Sequence, residues 1–325
     1  MNRDDRKAVA IWLLVCATVV FAIVVVGGIT RLTRSGLSIV EWQPLIGALP
    51  PLTDADWQAL FAKYRATPEF HRVNFNMELE GFKRIFWWEY AHRLLGRIAG
   101  LVFLAPFFYF LARRRLDAPL AGKLALVFLL GALQGALGWW MVKSGLVDNP
   151  RVSQFRLTAH LGLALLIFSA QIWMAFDLLT GRRGSISAIP ILVFLMALSG
   201  GMVAGIRAGS AYNTFPLMNG QLVPAEILMM DPWWRNFGYN MATVQFVHRG
   251  FFWLLLLLLP WICWKDRFSN PSKILLVAFV LQAVLGVSTL LLKVPIALAA
   301  AHQAGAVLLL AAALWFAHSS GKSMR

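Results

Sequence analysis

The sequence predicts an all-α polytopic membrane protein whose eight transmembrane helices form two parallel-repeat four-helix bundles. Composition gives the first indication, because 59% of the 325 residues are hydrophobic, only 14% are charged, and the mean hydropathy is +0.66. Soluble domains carry about 25% charged residues. Eight long apolar segments and an internal repeat of the sequence give the other two indications.

Eight segments are long and apolar enough to cross a bilayer as helices, since a hydrocarbon core of about 30 Å requires about 20 residues. The segments are 8–29, 85–111, 122–142, 157–179, 188–206, 241–264, 273–292 and 296–317. The first is longer than the apolar core of a signal peptide, roughly 7–15 residues, and it ends in GGITRLTR without a small-residue cleavage site. We therefore expect a retained first helix.

The basic residues of the loops predict the orientation in the membrane. If the spans alternate, five clusters fall on one side, namely Arg3/Arg6/Lys7, Arg113–Arg115/Lys123, Arg182/Arg183, Lys265/Arg267/Lys273 and Lys322/Arg325. By the positive-inside rule that side is cytoplasmic, which predicts a multi-pass membrane protein with both termini in the cytoplasm. Loop 30–84 on the other side is also basic, so the asymmetry depends on the short loops.

The charge distribution and the cysteines exclude two other kinds of protein. The net charge of +15 is scattered among membrane loops, and no soluble basic domain is present to bind nucleic acid. Cys16 and Cys263 both lie inside predicted helices, so they form no disulfide framework outside the membrane. The partners that we expect are membrane lipid and a small ligand bound among the helices.

The chain is composed of two similar halves. Three pairs of segments match in the same order, namely GGITRLTRSG (27–36) with GGMVAGIRAG (200–209), QPLIGALP (43–50) with FPLMNGQLVP (215–224), and LQGALG (133–138) with LQAVLG (281–286). We therefore expect an N-terminal half over 1–184, which contains the long loop 30–84, and a C-terminal half over 185–325. Because the order is kept and each half has four spans, the repeats are parallel.

Four histidines lie inside the apolar segments, at equivalent places in the two halves. They are His92, His160, His248 and His302, in the contexts EYAHRLLGR, RLTAHLGLA, QFVHRGFFW and AAAHQAGAV. An ionisable ring in the hydrocarbon layer is costly unless it has a partner. In each half, a histidine from the second span and one from the fourth face the bundle interior, where such folds build cofactor sites. The pattern predicts two pairs of imidazole ligands.

Two ligands per half fit haem better than zinc or copper, which need three or four. A porphyrin requires small side chains on the ligand's helix face, and three histidines have them. These neighbours are Gly96 for His92, Ala164 for His160, and Ala299, Gly305 and Ala306 for His302, whereas His248 has Phe252. A structural hydrogen bond or a proton relay remains the alternative for any single histidine.

Three arginines near the outer surface are candidates for contacts with haem propionates, namely Arg93, Arg97 and Arg249. Cations are otherwise difficult to place in a membrane. Two further histidines, His71 in a polar loop and His318 near the C-terminus, are expected to be exposed and are left out of the site.

An acidic residue distinguishes the two halves. Glu89 precedes His92 by three residues, so it lies on nearly the same helix face, whereas the position matching it before His248 is Gln245. This asymmetry suggests that the first half performs chemistry and that the second holds a permanent cofactor. An i,i+4 salt bridge from Glu89 to Arg93 is the alternative role, and the two roles are compatible.

The run GGITRLTRSGLSIVEWQPLIGALPPL, then TPEFHRVN, then GFKRIFWWEYAHRLLGR resembles the haem A synthase family, especially its proteobacterial and mitochondrial branch. The resemblance extends over essentially all eight spans. It implies an enzyme that oxidises the C8 methyl group of haem O to a formyl group, giving haem A for cytochrome oxidase. It also implies association with a haem O synthase or with cytochrome oxidase assembly factors.

Carried over residue by residue, the resemblance makes His92 and His160 the axial ligands of the substrate haem O. His248 and His302 become the ligands of a resident haem b, and Glu89 becomes the acidic residue that turnover requires. One branch of the family has a cysteine pair in the first outer loop, and loop 30–84 has none. The reaction resembles two successive hydroxylations followed by loss of water, with Glu89 as a general base or as the stabiliser of a cationic carbon.

Two other functions remain open on the sequence, a di-haem electron-transfer protein without substrate turnover and a haem transporter or chaperone. The difference between Glu89 and Gln245 favours the enzyme, because a symmetric electron carrier has little use for it. The sequence does not identify the electron-transfer partner. We also expect a helix around DADWQALFAKYRA that caps the first haem pocket.

Overall fold

The computed structural model describes residues 1–44, 46–147 and 149–320. Eleven α-helices follow one another in this part of the chain: α1 Arg3–Leu32, α2 Asp54–Arg65, α3 Pro68–Arg72, α4 Leu79–Ala112, α5 Ala118–Leu146, α6 Gln154–Thr180, α7 Ala188–Ile206, α8 Asn236–Tyr239, α9 Met241–Lys265, α10 Asn270–Leu291 and α11 Ile296–Ser319. In the same residues, the only bridge of β type joins Met218 to Gln221. Lys322 and Arg325, one of the predicted basic clusters, lie outside the described residues.

Eight of these helices are long and apolar enough to cross a membrane, namely α1, α4, α5, α6, α7, α9, α10 and α11. The predicted all-α polytopic fold is therefore confirmed. Several helices extend past their apolar segments by one or two polar turns, because polar side chains cap their ends. Asn2 accepts the backbone N–H of Asp5 at 2.7 Å, and Asp117 accepts that of Leu120 at 3.0 Å.

The same neighbour pattern occurs in both halves of the chain. Helix α1 packs against α4 and α6, and α5 packs against α6; correspondingly α7 packs against α9 and α11, and α10 packs against α11. The halves meet where α6 contacts α7 and α11 and where α1 contacts α11. Their hydrophobic core is shared, since Ala17 and Leu165 of one half cluster with Val193, Phe279 and Leu310 of the other. The division at residue 184 stays a prediction.

The start of α1 and the end of α11 lie on one side of the helical bundle, which we call the terminal side. Asp5 pairs there with Arg115 at 3.4 Å, and Asp177 pairs with His318 at 2.9 Å. The expectation that His318 is exposed is wrong: it is 6% exposed, and its ring packs edge-on against Trp173. Helix α11 continues to Ser319 and keeps this residue against α6. His71 is exposed, as expected.

The opposite side, which we call the loop side, carries the long connection between α1 and α4. Helix α2 lies where DADWQALFAKYRA predicts it, and Thr53 and Asp56 form a capping box at its start. Its Trp57 and Tyr64 cluster with Phe70 of α3 and with Phe82 and Phe86 of α4. The loop therefore has its own small core on the first turns of α4, and its predicted role as a cap of a haem pocket stays a prediction.

Candidate functional site

The four intramembrane histidines come from the second and fourth spans of each half, as predicted. His92 lies on α4 and His160 on α6, and His248 and His302 lie on the equivalent helices α9 and α11. Within 1–44, 46–147 and 149–320, no three side chains of His, Cys, Asp or Glu come together as a metal cluster. The pairing of the histidines as haem ligands stays a prediction.

Each of the four histidine rings packs against a glycine of the preceding span. The pairs are Gly27 with His92, Gly138 with His160, Gly200 with His248, and Gly286 with His302. A Cβ built on these glycines would lie between 2.7 and 3.2 Å from the nearest ring atom, closer than an ordinary van der Waals contact. At Gly27, Gly138 and Gly286 only a bare backbone leaves room for the ring, so these glycines position the imidazoles.

Two glutamines hold the helices of the fourth-span histidines. Gln134 donates to the carbonyl of His160, and Gln282 donates to that of His302, both at 2.9 Å. Within the described residues, Nδ1 of His160 and Nδ1 of His302 are buried without a hydrogen-bond partner. Buried polar atoms almost always have a partner. Buried imidazole rings that lie against bare backbone fit metal ligation, as haem requires.

Glu89 lies buried in a polar contact between α4 and the loop that follows α1. Its Oε2 accepts hydrogen bonds from the hydroxyl of Ser38 at 2.7 Å and from the N–H of Ile39 at 2.8 Å. Its Oε1 accepts from Nη2 of Arg93 at 2.8 Å and from Nε at 3.1 Å. The salt bridge expected at i,i+4 is therefore present, and four donors compensate a carboxylate that is only 2% exposed.

Arg93 and Arg97 tie the same loop to the face of α4. Arg93 donates to the carbonyls of Ile39 and Glu41 at 2.8 and 2.9 Å. Arg97 donates to the carbonyls of Gln43 and Pro44 at 2.7 and 2.9 Å. Residues 89, 93 and 97 thus form a stripe on one helix face. In the structure, four of the six hydrogen bonds of Arg93 and Arg97 go to the loop and two go to Glu89; the contact with haem propionates stays a prediction.

In the second half, Gln245 occupies the helix position that matches Glu89, but its hydrogen bond to the loop runs in the opposite direction. Gln245 donates to the carbonyl of Ala208 at 2.8 Å and accepts from Arg249 at 2.8 Å. Arg249 also donates to four loop carbonyls, those of Tyr212, Thr214, Pro216 and Leu217. Glu89 therefore accepts from its loop, whereas Gln245 donates to its own. The charge of Glu89 has no counterpart in the second half.

The glycines and glutamines that contact the four histidines were not predicted as site residues, although they lie in motifs that the sequence repeats. The paired segments 27–36 and 200–209 contain the glycines that receive His92 and His248, and LQGALG and LQAVLG contain Gln134, Gln282 and the other two glycines. The repeat is visible in the sequence, whereas its tertiary contacts are not. A glutamine and a glycine one helical turn apart in a repeated apolar motif, as in LQGALG and LQAVLG, are the sequence signal for a contact with a histidine of the next span.

A family model described as "Cytochrome oxidase assembly protein" (COX15-CtaA) matches residues 10–314. Bacterial proteins named "Heme A synthase" are similar over nearly their whole length. That of Nitrosospira multiformis is 58% identical over 332 residues, covering 96% of this chain and 93% of the relative. That of Nitrosomonas eutropha is 52% identical, with the same coverage, and that of Parvibaculum lavamentivorans is 49% identical, covering 98% and 96%. The chain belongs to the COX15-CtaA family of cytochrome oxidase assembly proteins.

Proposed function

We propose that this chain is an enzyme that oxidises the C8 methyl group of haem O to a formyl group, giving haem A for cytochrome oxidase. The observation that carries the proposal is the nearly full-length similarity, at 49–58% identity, to proteins named "Heme A synthase". The paired histidines support it, because each pair offers the two axial ligands that a haem takes.

The two haem sites have different roles. His92 and His160 bind the substrate haem O in the N-terminal half, residues 1–184. His248 and His302 bind a resident haem b in the C-terminal half, residues 185–325. The assignment is supported by Glu89, a buried carboxylate one helical turn from His92. The matching Gln245 is a neutral amide with both of its polar groups in use.

Oxidation of a methyl group to a formyl group removes four electrons and four protons from the substrate and water together, in two two-electron steps, and an electron acceptor outside this chain takes up the electrons. The first hydroxylation gives an alcohol, the second gives a geminal diol, and loss of water leaves the aldehyde. When bound, haem b would act as a one-electron carrier. Protonating Glu89 requires that one of its four hydrogen bonds be given up. This favours Glu89 as the stabiliser of a cationic carbon over Glu89 as the base.

The eight apolar helices make the chain a multi-pass membrane protein. We place it in the bacterial inner membrane with the terminal side in the cytoplasm, because basic clusters such as Arg113–Arg115 and Arg182/Arg183 lie on that side. A haem O synthase, other assembly factors and an electron-transfer protein are its proposed partners.

The proposal is tested by co-expressing the chain with a haem O synthase in a bacterium that makes no haem A of its own. We expect haem A in pigment extracts of the membranes only when both proteins are present. A di-haem electron carrier or a haem transporter would leave haem O unchanged, and that result would contradict the enzymatic function.

A glycine on α5 tests the substrate site separately. Gly138→Ala places a Cβ 2.8 Å from Cε1 of His160, so the ring must move. We expect haem A formation to fall at least about 10-fold while haem b is retained, since misplacement by about 1 Å costs far more than that in other enzymes. Gly135→Ala is the matched control, because no atom lies within 4 Å of its Cβ position. Alanine is the better helix former, so this variant should be fully active and slightly more stable.

A further inference from the structure

The ring of His248 has a hydroxyl partner inside the protein. Oγ of Ser199 lies 2.8 Å from Nδ1 of His248. Ser199 directly precedes Gly200, the glycine of α7 against which this ring packs. Within the described residues, no other side chain hydrogen-bonds a ring nitrogen of the four intramembrane histidines. His248 thus has a side-chain partner that the other three rings lack.

The direction of this hydrogen bond follows from a second contact. The same Ser199 hydroxyl lies 2.7 Å from the carbonyl oxygen of Met196. A carbonyl only accepts, so the single hydroxyl proton of Ser199 is directed to Met196. Oγ must then accept a proton from His248, which places the hydrogen of the neutral imidazole on Nδ1. The Nε2 lone pair of His248 is therefore the one available to a metal.

The first half lacks this device at the equivalent position. In the repeat, Val26 before Gly27 corresponds to Ser199 before Gly200, and a valine side chain has no acceptor. The ring of His92 is also oriented differently. A Cβ built on Gly27 meets Nε2 of His92 first, at 2.8 Å, whereas one built on Gly200 meets Cε1 of His248 first, at 3.2 Å.

We propose that Ser199 is a positioning residue that fixes His248 as the Nδ1–H tautomer for permanent haem ligation, and that Val26 leaves His92 unfixed so that substrate haem exchanges. The proposal rests on the proposed assignment of haem b to the second half. Partners of the second nitrogen of a ligating histidine fix its ring orientation and raise its basicity, and their loss typically weakens metal binding about 10- to 100-fold. A resident cofactor benefits from such a partner, whereas a substrate that must leave as product does not.

The first test compares wild-type protein with Ser199→Ala and Ser199→Thr, each purified with its haem. Transfer of haem b to apomyoglobin gives the dissociation rate, and a redox titration gives the midpoint potential. We expect haem b to leave about 10- to 100-fold faster from Ser199→Ala. The potential should rise, because a less basic imidazole stabilises ferric iron less; a tenfold loss confined to the ferric form corresponds to about 59 mV. Ser199→Thr keeps a hydroxyl and should restore both values.

The reciprocal variant Val26→Ser places a hydroxyl beside the ring of His92. We expect haem O or haem A to co-purify in larger amount, to dissociate about 10-fold more slowly, and to turn over more slowly. Wild-type dissociation and potential in Ser199→Ala would overturn the proposal for Ser199. Equal losses in Ser199→Ala and Ser199→Thr would overturn it as well, since they would show a packing effect. Unchanged pigment retention in Val26→Ser would overturn the part that concerns Val26.

Failure of this proposal is distinguishable from failure of the proposed function. If Ser199→Ala changes the haem b of a protein that never converts haem O, the role of Ser199 is supported and the enzymatic function is overturned. If the protein converts haem O but its haem b does not respond to Ser199→Ala, the enzymatic function is supported and the role of Ser199 is overturned. A thermal melt of each variant in detergent identifies any loss of haem that comes from unfolding.

Discussion

Glu89→Gln is expected to abolish haem A formation while haem b stays bound to the purified protein. The substitution removes a buried negative charge one turn from His92 and leaves the C-terminal half unchanged. Groups that take part in proton transfer or charge stabilisation contribute about 10²- to 10⁴-fold to the rate. We therefore expect a loss of at least about 100-fold in conversion of haem O, measured by pigment extraction after co-expression with a haem O synthase.

The contacts of Glu89 require a control for its structural role, because the new amide group would face the donors of Ser38 and Ile39. Ser38→Ala removes one of the four hydrogen bonds and keeps the charge. A single hydrogen bond contributes about 1 kcal/mol, or to a charged group about 1.5–3 kcal/mol, so this variant should lose much less activity than Glu89→Gln. Equal losses of activity, with equal drops in melting temperature, would show that Glu89 only anchors the loop.

His248→Ala and His302→Ala are each expected to remove the stably bound haem b. Either substitution leaves one axial ligand and an empty space beside Gly200 or Gly286. The bis-imidazole spectrum of the purified protein should disappear, whereas His92→Ala and His160→Ala should keep it and lose only the conversion of haem O. The measurement is the reduced-minus-oxidised spectrum, together with haem content per protein.

His318 supplies the matched control for these variants, because it is also a buried histidine but pairs with Asp177 on the terminal side. His318→Ala should lower the melting temperature and leave the haem b spectrum unchanged. An unchanged bis-imidazole spectrum in His248→Ala would contradict the assignment of haem b to the second half. Loss of that spectrum in His92→Ala, with retention in His248→Ala, would reverse the roles of the two halves.

The sequence predicts the spans and the histidine pairs because both depend on local patterns. A run of about 20 apolar residues forms a helix in lipid, where every backbone group must be satisfied within the segment. Histidines inside such runs need partners, and the repeat makes His92 equivalent to His248 and His160 equivalent to His302. Their positions along the eight helices therefore follow without knowledge of packing.

The contacts between helices and loops could not be predicted in the same way. Glycines that receive the histidine rings act through tertiary packing, which hydropathy does not report. Arg93 and Arg97 look like free cations in the sequence, but the loop that folds back on α4 takes most of their hydrogen bonds. In the sequence, His318 looks like part of an exposed C-terminal tail. In the structure it is buried, because α11 continues to Ser319 and His318 pairs with Asp177.

Pigment analysis of the purified wild-type protein tests the central claim most directly. The protein is purified from cells that supply haem O, its haems are extracted with acidified acetone, and the extract is separated by chromatography. Two unequal histidine pairs predict haem b together with haem O or haem A in the same preparation, with the haem O or A fraction lost in His92→Ala. Haem b alone, at two equivalents per chain, would contradict the account and identify a di-haem electron carrier.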